Sequence, residues 1–268
     1  MVDKNRRLNV KILVAVTYVL MVIVNTLAVT LPINGVGTGQ ISDYYPNLFT
    51  PAGVTFSIWG VIYLLLGAYT LYQFGFFKYG KSQLKENQFN TIGLYFSLSS
   101  IANALWIFSW QYYMIPLSML IMIVILGLLI LIVQEIKKDE LSQRDRIFVR
   151  LPFSVYFGWI TVATIANATA LLVSLGWNGF GISEVTWAVI IIIVGLLIGG
   201  ATTIINKDMA YGLVIIWAYT GILIKHTSTF AGRYPEVITT VTICIALLII
   251  AEVYVFMTAR KKTSLISG

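Results

Sequence analysis

Three apolar segments carry tryptophan, tyrosine and asparagine side chains at helical spacing. Trp59 and Tyr63 stand four residues apart, and Asn103 and Trp106 stand three apart. Residues three or four apart lie on the same face of a helix. A longer set, with spacings of three, four and four, consists of Tyr156, Trp159, Ala163 and Asn167. Because polar and indole N–H groups inside a membrane need partners, these side chains are predicted to face protein or a bound ligand rather than lipid.

The same residues also have a purely structural interpretation. Buried amides such as Asn103 and Asn167 can join helices by hydrogen bonds, and tryptophans can fill the space between helices. Spacing alone leaves both interpretations open. In either case the stripe that begins at Tyr156 is predicted to face protein rather than lipid, because polar groups inside a membrane need partners.

The composition predicts a membrane protein. Of the 268 residues, 58% are hydrophobic and 11% are charged, whereas a soluble domain has about 45–50% apolar and about 25% charged residues. The net charge is +7, but the basic residues fall in short connections between apolar segments, which argues against nucleic-acid binding. The single cysteine, Cys244, excludes an intrachain disulfide and a cysteine-built metal site, and a single histidine, His226, excludes multi-histidine ligation within one chain.

The apolar segments predict an all-α, polytopic membrane helix bundle of about eight transmembrane helices. A helix needs about 20 apolar residues to cross a membrane. Segments of that length occur near residues 10–31, 51–76, 91–111, 113–134, 151–175, 184–205, 209–229 and 236–258. Pro51 suits the first turn of the second helix, where its missing N–H costs nothing.

The longest predicted outer connection covers residues 32–50. Its glycines, prolines and asparagines predict an ordered loop without secondary structure of its own. A loop of this length is often a lid over a binding site, and a simple connector is the alternative.

The distribution of basic residues predicts the orientation. Eight helices place both termini on the same side, and 16 of the 18 basic residues fall in the termini or in the connections on that side. Only Lys225 and Arg233 fall on the other side. Since cytoplasmic segments carry the excess of lysine and arginine, both termini are predicted to be cytoplasmic. The protein itself is predicted to lie in the plasma membrane.

The motifs PAGVTFSIWGVIY, NALW and YFGWITVATIAN lie on the second, third and fifth helices. In this order they resemble the TspO/MBR family, the translocator proteins that are also called tryptophan-rich sensory proteins or peripheral benzodiazepine receptors. The resemblance covers about residues 10–175 and departs from the family pattern at Thr50 and Ile107. The residues that match the family's motifs, and that it implies for ligand binding, are Pro51, Trp59, Tyr63, Asn103, Trp106, Tyr156, Trp159, Ala163 and Asn167.

The resemblance implies a receptor or sensor-like function. Ligands of the family include porphyrins, haem, sterols and synthetic aromatic compounds, so the implied partners are membrane lipids and an apolar aromatic molecule. It implies a pocket lined by helices one, two and five, with residues 32–50 as its lid. Porphyrin or haem would be a ligand, and no resident cofactor or metal is predicted. The oligomeric state stays open, with a homodimer among the alternatives.

Family members usually have five helices, whereas this sequence predicts three more. We therefore expect a TspO/MBR-like five-helix bundle over residues 1–180 and an additional three-helix segment over residues 181–268, in one continuous membrane unit.

Two other functions stay open from the sequence. A small-molecule transporter is the first, because spans six and seven are rich in glycine and Glu252 lies inside the eighth span. A porphyrin-modifying enzyme is the second, although no catalytic residue is predicted. Lys225 and His226 are predicted either to reach the membrane interface or to attract a carboxylate at the outer mouth of the bundle.

Overall fold

The computed structural model describes residues 2–31, 33–77 and 82–266, with side chains from residue 7 to residue 259 of these ranges. In this part of the chain all regular secondary structure is helical. Eight of the described helices are long and apolar enough to cross a membrane. The predicted all-α bundle of eight transmembrane helices is therefore confirmed.

The helices match the predicted apolar segments closely. Short 3₁₀ and π-helical turns lie between several of them. The α-helices are α1 (Val2–Thr30), α2 (Thr38–Tyr44), α3 (Ile58–Gln73), α4 (Glu86–Gln111), α5 (Ile115–Ile136), α6 (Gln143–Asp145), α7 (Leu151–Ser174), α8 (Glu184–Asn206), α9 (Met209–Ile224) and α10 (Pro235–Ile266).

Local sequence signals explain where several helices begin. Ser183 caps α8 by accepting a hydrogen bond from the Thr186 N–H at 3.1 Å, and Asp208 caps α9 in the same way. Such caps satisfy backbone donors that have no partner within the helix. Between α4 and α5 the chain turns at Tyr113, where φ is 58°. The predicted separation of the third and fourth spans is confirmed.

The second spanning helix does not begin at Pro51 as predicted. Pro51 lies outside regular structure, a 3₁₀ helix covers Gly53–Ser57, and α3 begins only at Ile58. At this point the chain is bound to α9 instead: the Ala52 N–H donates to the carbonyl oxygen of Gly221 at 2.9 Å. Trp59 is consequently the second residue of its α-helix rather than a residue two turns inside it.

The connection over residues 32–50 has secondary structure, which the sequence did not predict. A 3₁₀ turn covers Ile33–Gly35 and α2 covers Thr38–Tyr44; Pro32 lies outside the described residues. The Gly37 N–H donates to Gln40 Oε1 at 2.8 Å, and Ile41 is fully buried. A short helix forms here because one apolar side chain is anchored in the protein, which loop composition does not reveal.

The chain divides into two compact units. The first consists of the chain up to Tyr44 and of Ile58–Ile160, and in it α1 and α5 pack against α4. The second consists of Tyr45–Ser57 and of the chain from Thr161, and in it α8 and α9 pack against α10. The division into residues 1–180 and 181–268 follows from the family resemblance and stays a prediction.

The predicted orientation also stays a prediction. It depends in part on basic side chains that lie outside the described residues, namely those of Lys4, Arg6, Lys78, Lys81, Arg260, Lys261 and Lys262.

Candidate functional site

Four of the predicted site residues form one aromatic cluster in the first unit. Trp59 stacks on Tyr63 with ring centroids 5.6 Å apart. Its ring also meets Tyr156 and Trp159 edge-on, both at 6.2 Å between centroids. Edge-on and offset contacts of this kind suit the quadrupoles of aromatic rings. Trp59 therefore packs on protein, as its position predicts, while keeping part of its surface accessible.

A chain of buried amides lies behind this cluster. Asn25 of α1 donates from Nδ2 to Asn103 Oδ1 at 2.7 Å. Asn103 of α4 in turn donates from Nδ2 to the hydroxyl oxygen of Tyr156 in α7 at 3.2 Å. Both asparagines are at least 90% buried. Because each amide has a partner on another helix, the interpretation that Asn103 joins helices by hydrogen bonds has direct support. The sequence analysis did not single out Asn25.

The end of α4 holds the connection that was predicted as a lid. Trp106 stacks on Trp110 with ring centroids 5.7 Å apart. Trp110 Nε1 donates to the backbone oxygen of Thr38 at 3.1 Å, and Gln111 Nε2 donates to Thr38 Oγ1 at 3.1 Å. Trp106 thus belongs to an aromatic pair whose second member fixes the start of α2.

The second unit contains a cavity of about 310 Å³. Most of its lining is apolar or aromatic, and Glu184 is the one charged side chain among the described lining residues. None of the nine predicted site residues lines it. The lining consists of Asn47, Leu48, Phe49, Thr169, Leu172, Val173, Trp177, Asn178, Gly179, Ile182, Glu184, Trp187, Ala188 and Ile191.

Two tryptophans form adjoining walls of this cavity. Trp177 and Trp187 have ring centroids 4.8 Å apart and planes inclined at 57°. Trp187 Nε1 donates to the backbone oxygen of Gly179 at 2.7 Å. Gly179 has φ +64°, and a Cβ there would come within 2.8 Å of that indole nitrogen. The position therefore needs glycine, and the Trp187 ring is held in place before any ligand binds.

The third wall is the end of the predicted lid connection. Asn47 Oδ1 accepts hydrogen bonds from the N–H groups of Phe49 and Thr50, at 3.1 and 2.9 Å. His226 Nε2 lies 2.9 Å from the carbonyl oxygen of Leu48, to which its N–H donates. His226 is fully buried, so neither prediction for this residue matches its place in the structure. It anchors the cavity wall instead.

A buried carboxylate lies between helices elsewhere in the second unit. Glu252 of α10 is 7% exposed, and neither of its carboxylate oxygens has a hydrogen-bond partner in the described structure. Its side chain occupies the space beside Gly212, where a Cβ would overlap Glu252 Oε1. A carboxylate inside a membrane protein without a partner is costly and is often functional.

A family model described as TSPO-like protein matches residues 11–254. The chain belongs to this family. The match covers nearly the whole chain and confirms the resemblance to the TspO/MBR family. It extends well beyond residue 175, into α10. No curated protein and no solved structure matches the chain.

In this TSPO-like protein most of the predicted site residues are buried by the protein itself. Trp59, Tyr63 and Ala163 are half-buried. Pro51, Ala163 and Asn167 belong to the second unit, and the other six belong to the first. A role of the nine in ligand binding stays a prediction. The buried ones are Pro51, Asn103, Trp106, Tyr156, Trp159 and Asn167.

Proposed function

We propose that this TSPO-like protein is a membrane receptor or sensor that binds an apolar aromatic ligand in the cavity of its second unit. The proposed aromatic ligand is a tetrapyrrole such as protoporphyrin or haem, and the alternative apolar ligand is a sterol or another lipid. The observation that carries the proposal is the pair of indole walls, Trp177 and Trp187, in an apolar cavity of about 310 Å³. The proposal includes a plasma-membrane location with cytoplasmic termini, supported by the distribution of basic residues.

The size and lining of the cavity support such a ligand. Ligand pockets have volumes of about 300–1,000 Å³ and are mostly apolar, with a few polar groups that fix orientation. A cavity of about 310 Å³ takes one fused ring system, so a tetrapyrrole would bind with part of its macrocycle outside. Asn178 and Glu184 are the polar groups near the indole rings that would orient it.

Replacing Trp177 by leucine is expected to weaken protoporphyrin binding about tenfold, since the loss of one stacking wall corresponds to about 1.4 kcal/mol. The measurement is a titration of the purified protein in detergent, followed by the porphyrin's own fluorescence. Trp217→Leu is the matched control, because Trp217 is in the same unit but outside the cavity lining.

The same titration with Trp59→Phe and Trp159→Phe tests the residues that the family motifs imply. Weaker binding in these variants, with normal binding in Trp177→Leu, would keep the function and move the ligand to the aromatic cluster of the first unit. Absence of saturable binding of protoporphyrin and of a sterol to the unmodified protein would refute the proposed function.

A second candidate function, a small-molecule transporter, is favoured by Glu252 alone. A buried carboxylate without a partner can bind and release a proton during transport. Uptake of protoporphyrin into proteoliposomes is then expected to increase with an imposed pH gradient, and Glu252→Gln is expected to remove this dependence. Glu236→Gln, an exposed position on the same helix, should leave it unchanged. Uptake that does not depend on the pH gradient, or that is the same in the unmodified protein and in both variants, argues against transport.

A further inference from the structure

A second cavity, of about 280 Å³, lies in the first unit. Its described lining contains three basic side chains, Arg7 and Lys11 from α1 and Arg144 from α6. It also contains the amide side chains of Gln73 and Asn90. This lining contrasts with that of the apolar cavity of the second unit, because most of its members can donate hydrogen bonds.

Among the described side chains, two carboxylates lie near this cavity, against its three basic side chains. Glu86 forms an ion pair with Arg7 at 3.5 Å, and both side chains are about half exposed. Asp145 is fully buried and already accepts hydrogen bonds from Tyr72, Ser82, Gln83 and Ser142. Its oxygens are therefore occupied. Cations gathered around one concave surface repel one another unless an anion lies between them.

Gln73 supplies an independent observation that points to an acceptor in the cavity. Gln73 is 7% exposed, and its Nε2 has no hydrogen-bond partner in the described structure. A buried donor without an acceptor destabilises the protein, and an anionic oxygen in the cavity would remove this cost. A group of exposed basic side chains would not by itself leave a buried amide donor without a partner. The Gln73 amide is therefore evidence for a ligand that is independent of the charges.

We propose that this cavity binds a phosphate group, carried either by an anionic lipid headgroup or by a free phosphate compound. Arg7, Lys11 and Arg144 balance its charge, and Gln73 Nε2 donates to one of its oxygens. Guanidinium groups match phosphate oxygens in a planar, two-bond geometry. Basic pockets between transmembrane helices commonly bind such headgroups. The site shares no residue with the cavity proposed for the aromatic ligand.

The test measures the unfolding temperature of the purified full-length protein in phosphate-free neutral detergent, at constant ionic strength. Short-chain phosphatidic acid is added, with phosphatidylcholine of the same chain length as the control lipid. The unfolding temperature is expected to increase in a saturable way with phosphatidic acid and to stay constant with phosphatidylcholine. A parallel titration with inorganic phosphate distinguishes the sources: an equal shift indicates a free phosphate compound, and no shift indicates a lipid headgroup.

Three variants separate a built site from general attraction between charges. Lys11→Gln and Gln73→Leu are each expected to raise the apparent Kd for the active probe about tenfold, although Gln73→Leu removes no charge. Lys85→Gln is the matched control, because Lys85 is exposed and pairs with Asp139 outside the cavity. The proposal is overturned if neither probe shifts the unfolding temperature, or if Gln73→Leu and Lys85→Gln both bind like the unmodified protein.

Discussion

Replacing Asp145 by alanine is expected to lower the free energy of unfolding by about 3–5 kcal/mol, because several buried donors lose a charged acceptor at once. The Asp145 carboxylate is fully buried. It accepts from Tyr72 at 2.9 Å, from Ser82 at 2.7 Å and from the Gln83 N–H at 2.9 Å. It also accepts from both the N–H and the hydroxyl of Ser142. The Asp145 side chain thus joins three segments: the end of α3, the residues just before α4 and the N-terminal cap of α6.

The measurement is equilibrium unfolding in mixed micelles, followed by tryptophan fluorescence. Asp139→Ala is the matched control, because Asp139 makes an ion pair with Lys85, whose side chain is 72% exposed. Pairs of this kind contribute about 0–1 kcal/mol. A loss of stability in Asp145→Ala no larger than that in Asp139→Ala would contradict the assigned role.

The second large effect is expected at Gly221 of α9. A Cβ at this position would overlap Thr55 Oγ1 and would lie 2.7 Å from its Cγ2. The backbone is fixed there as well, since the Gly221 carbonyl oxygen accepts from the Ala52 N–H at 2.9 Å. Gly221→Ala is therefore expected to cost about 1–3 kcal/mol, the usual cost of overfilling a packed contact.

Gly127→Ala provides the control in the same unfolding experiment. Gly127 lies in the middle of α5, and a Cβ there would meet no other atom within 4 Å. This substitution is expected to be neutral or to stabilise by up to about 1 kcal/mol, because alanine favours the helix. Adding Thr55→Ala to Gly221→Ala should restore part of the lost stability. Equal effects of the two glycine substitutions would argue against close packing at Gly221.

Hydropathy and spacing predicted the helices well, because a spanning helix must satisfy its own backbone and present about 20 apolar residues to lipid. The same rules placed Trp59 and Trp159 on protein-facing surfaces, and the structure brings the two rings together. The start of the second spanning helix was predicted wrongly, and the chain before it is bound to α9 from Ala52 to Gly221. That bond joins residues far apart in the sequence, and no local pattern encodes it.

Other parts of the candidate sites could also not be predicted from the sequence. The tryptophans Trp177 and Trp187 lie in and just after a connection rich in glycine, where no helical spacing marks them as a pair. Asp145 stands among basic residues and looks like an ordinary exposed charge until its burial is known. In each case the decisive fact is a tertiary contact, and composition and periodicity carry information only about neighbours along the chain.

The amide chain from Asn25 through Asn103 to Tyr156 restricts how the gene for this protein can change. Each additional residue within a helix rotates all that follows it by about 100°. A single-codon insertion or deletion inside the spans that carry these three residues would turn one amide or hydroxyl away from its partners. Related sequences should therefore keep constant residue counts within these helices.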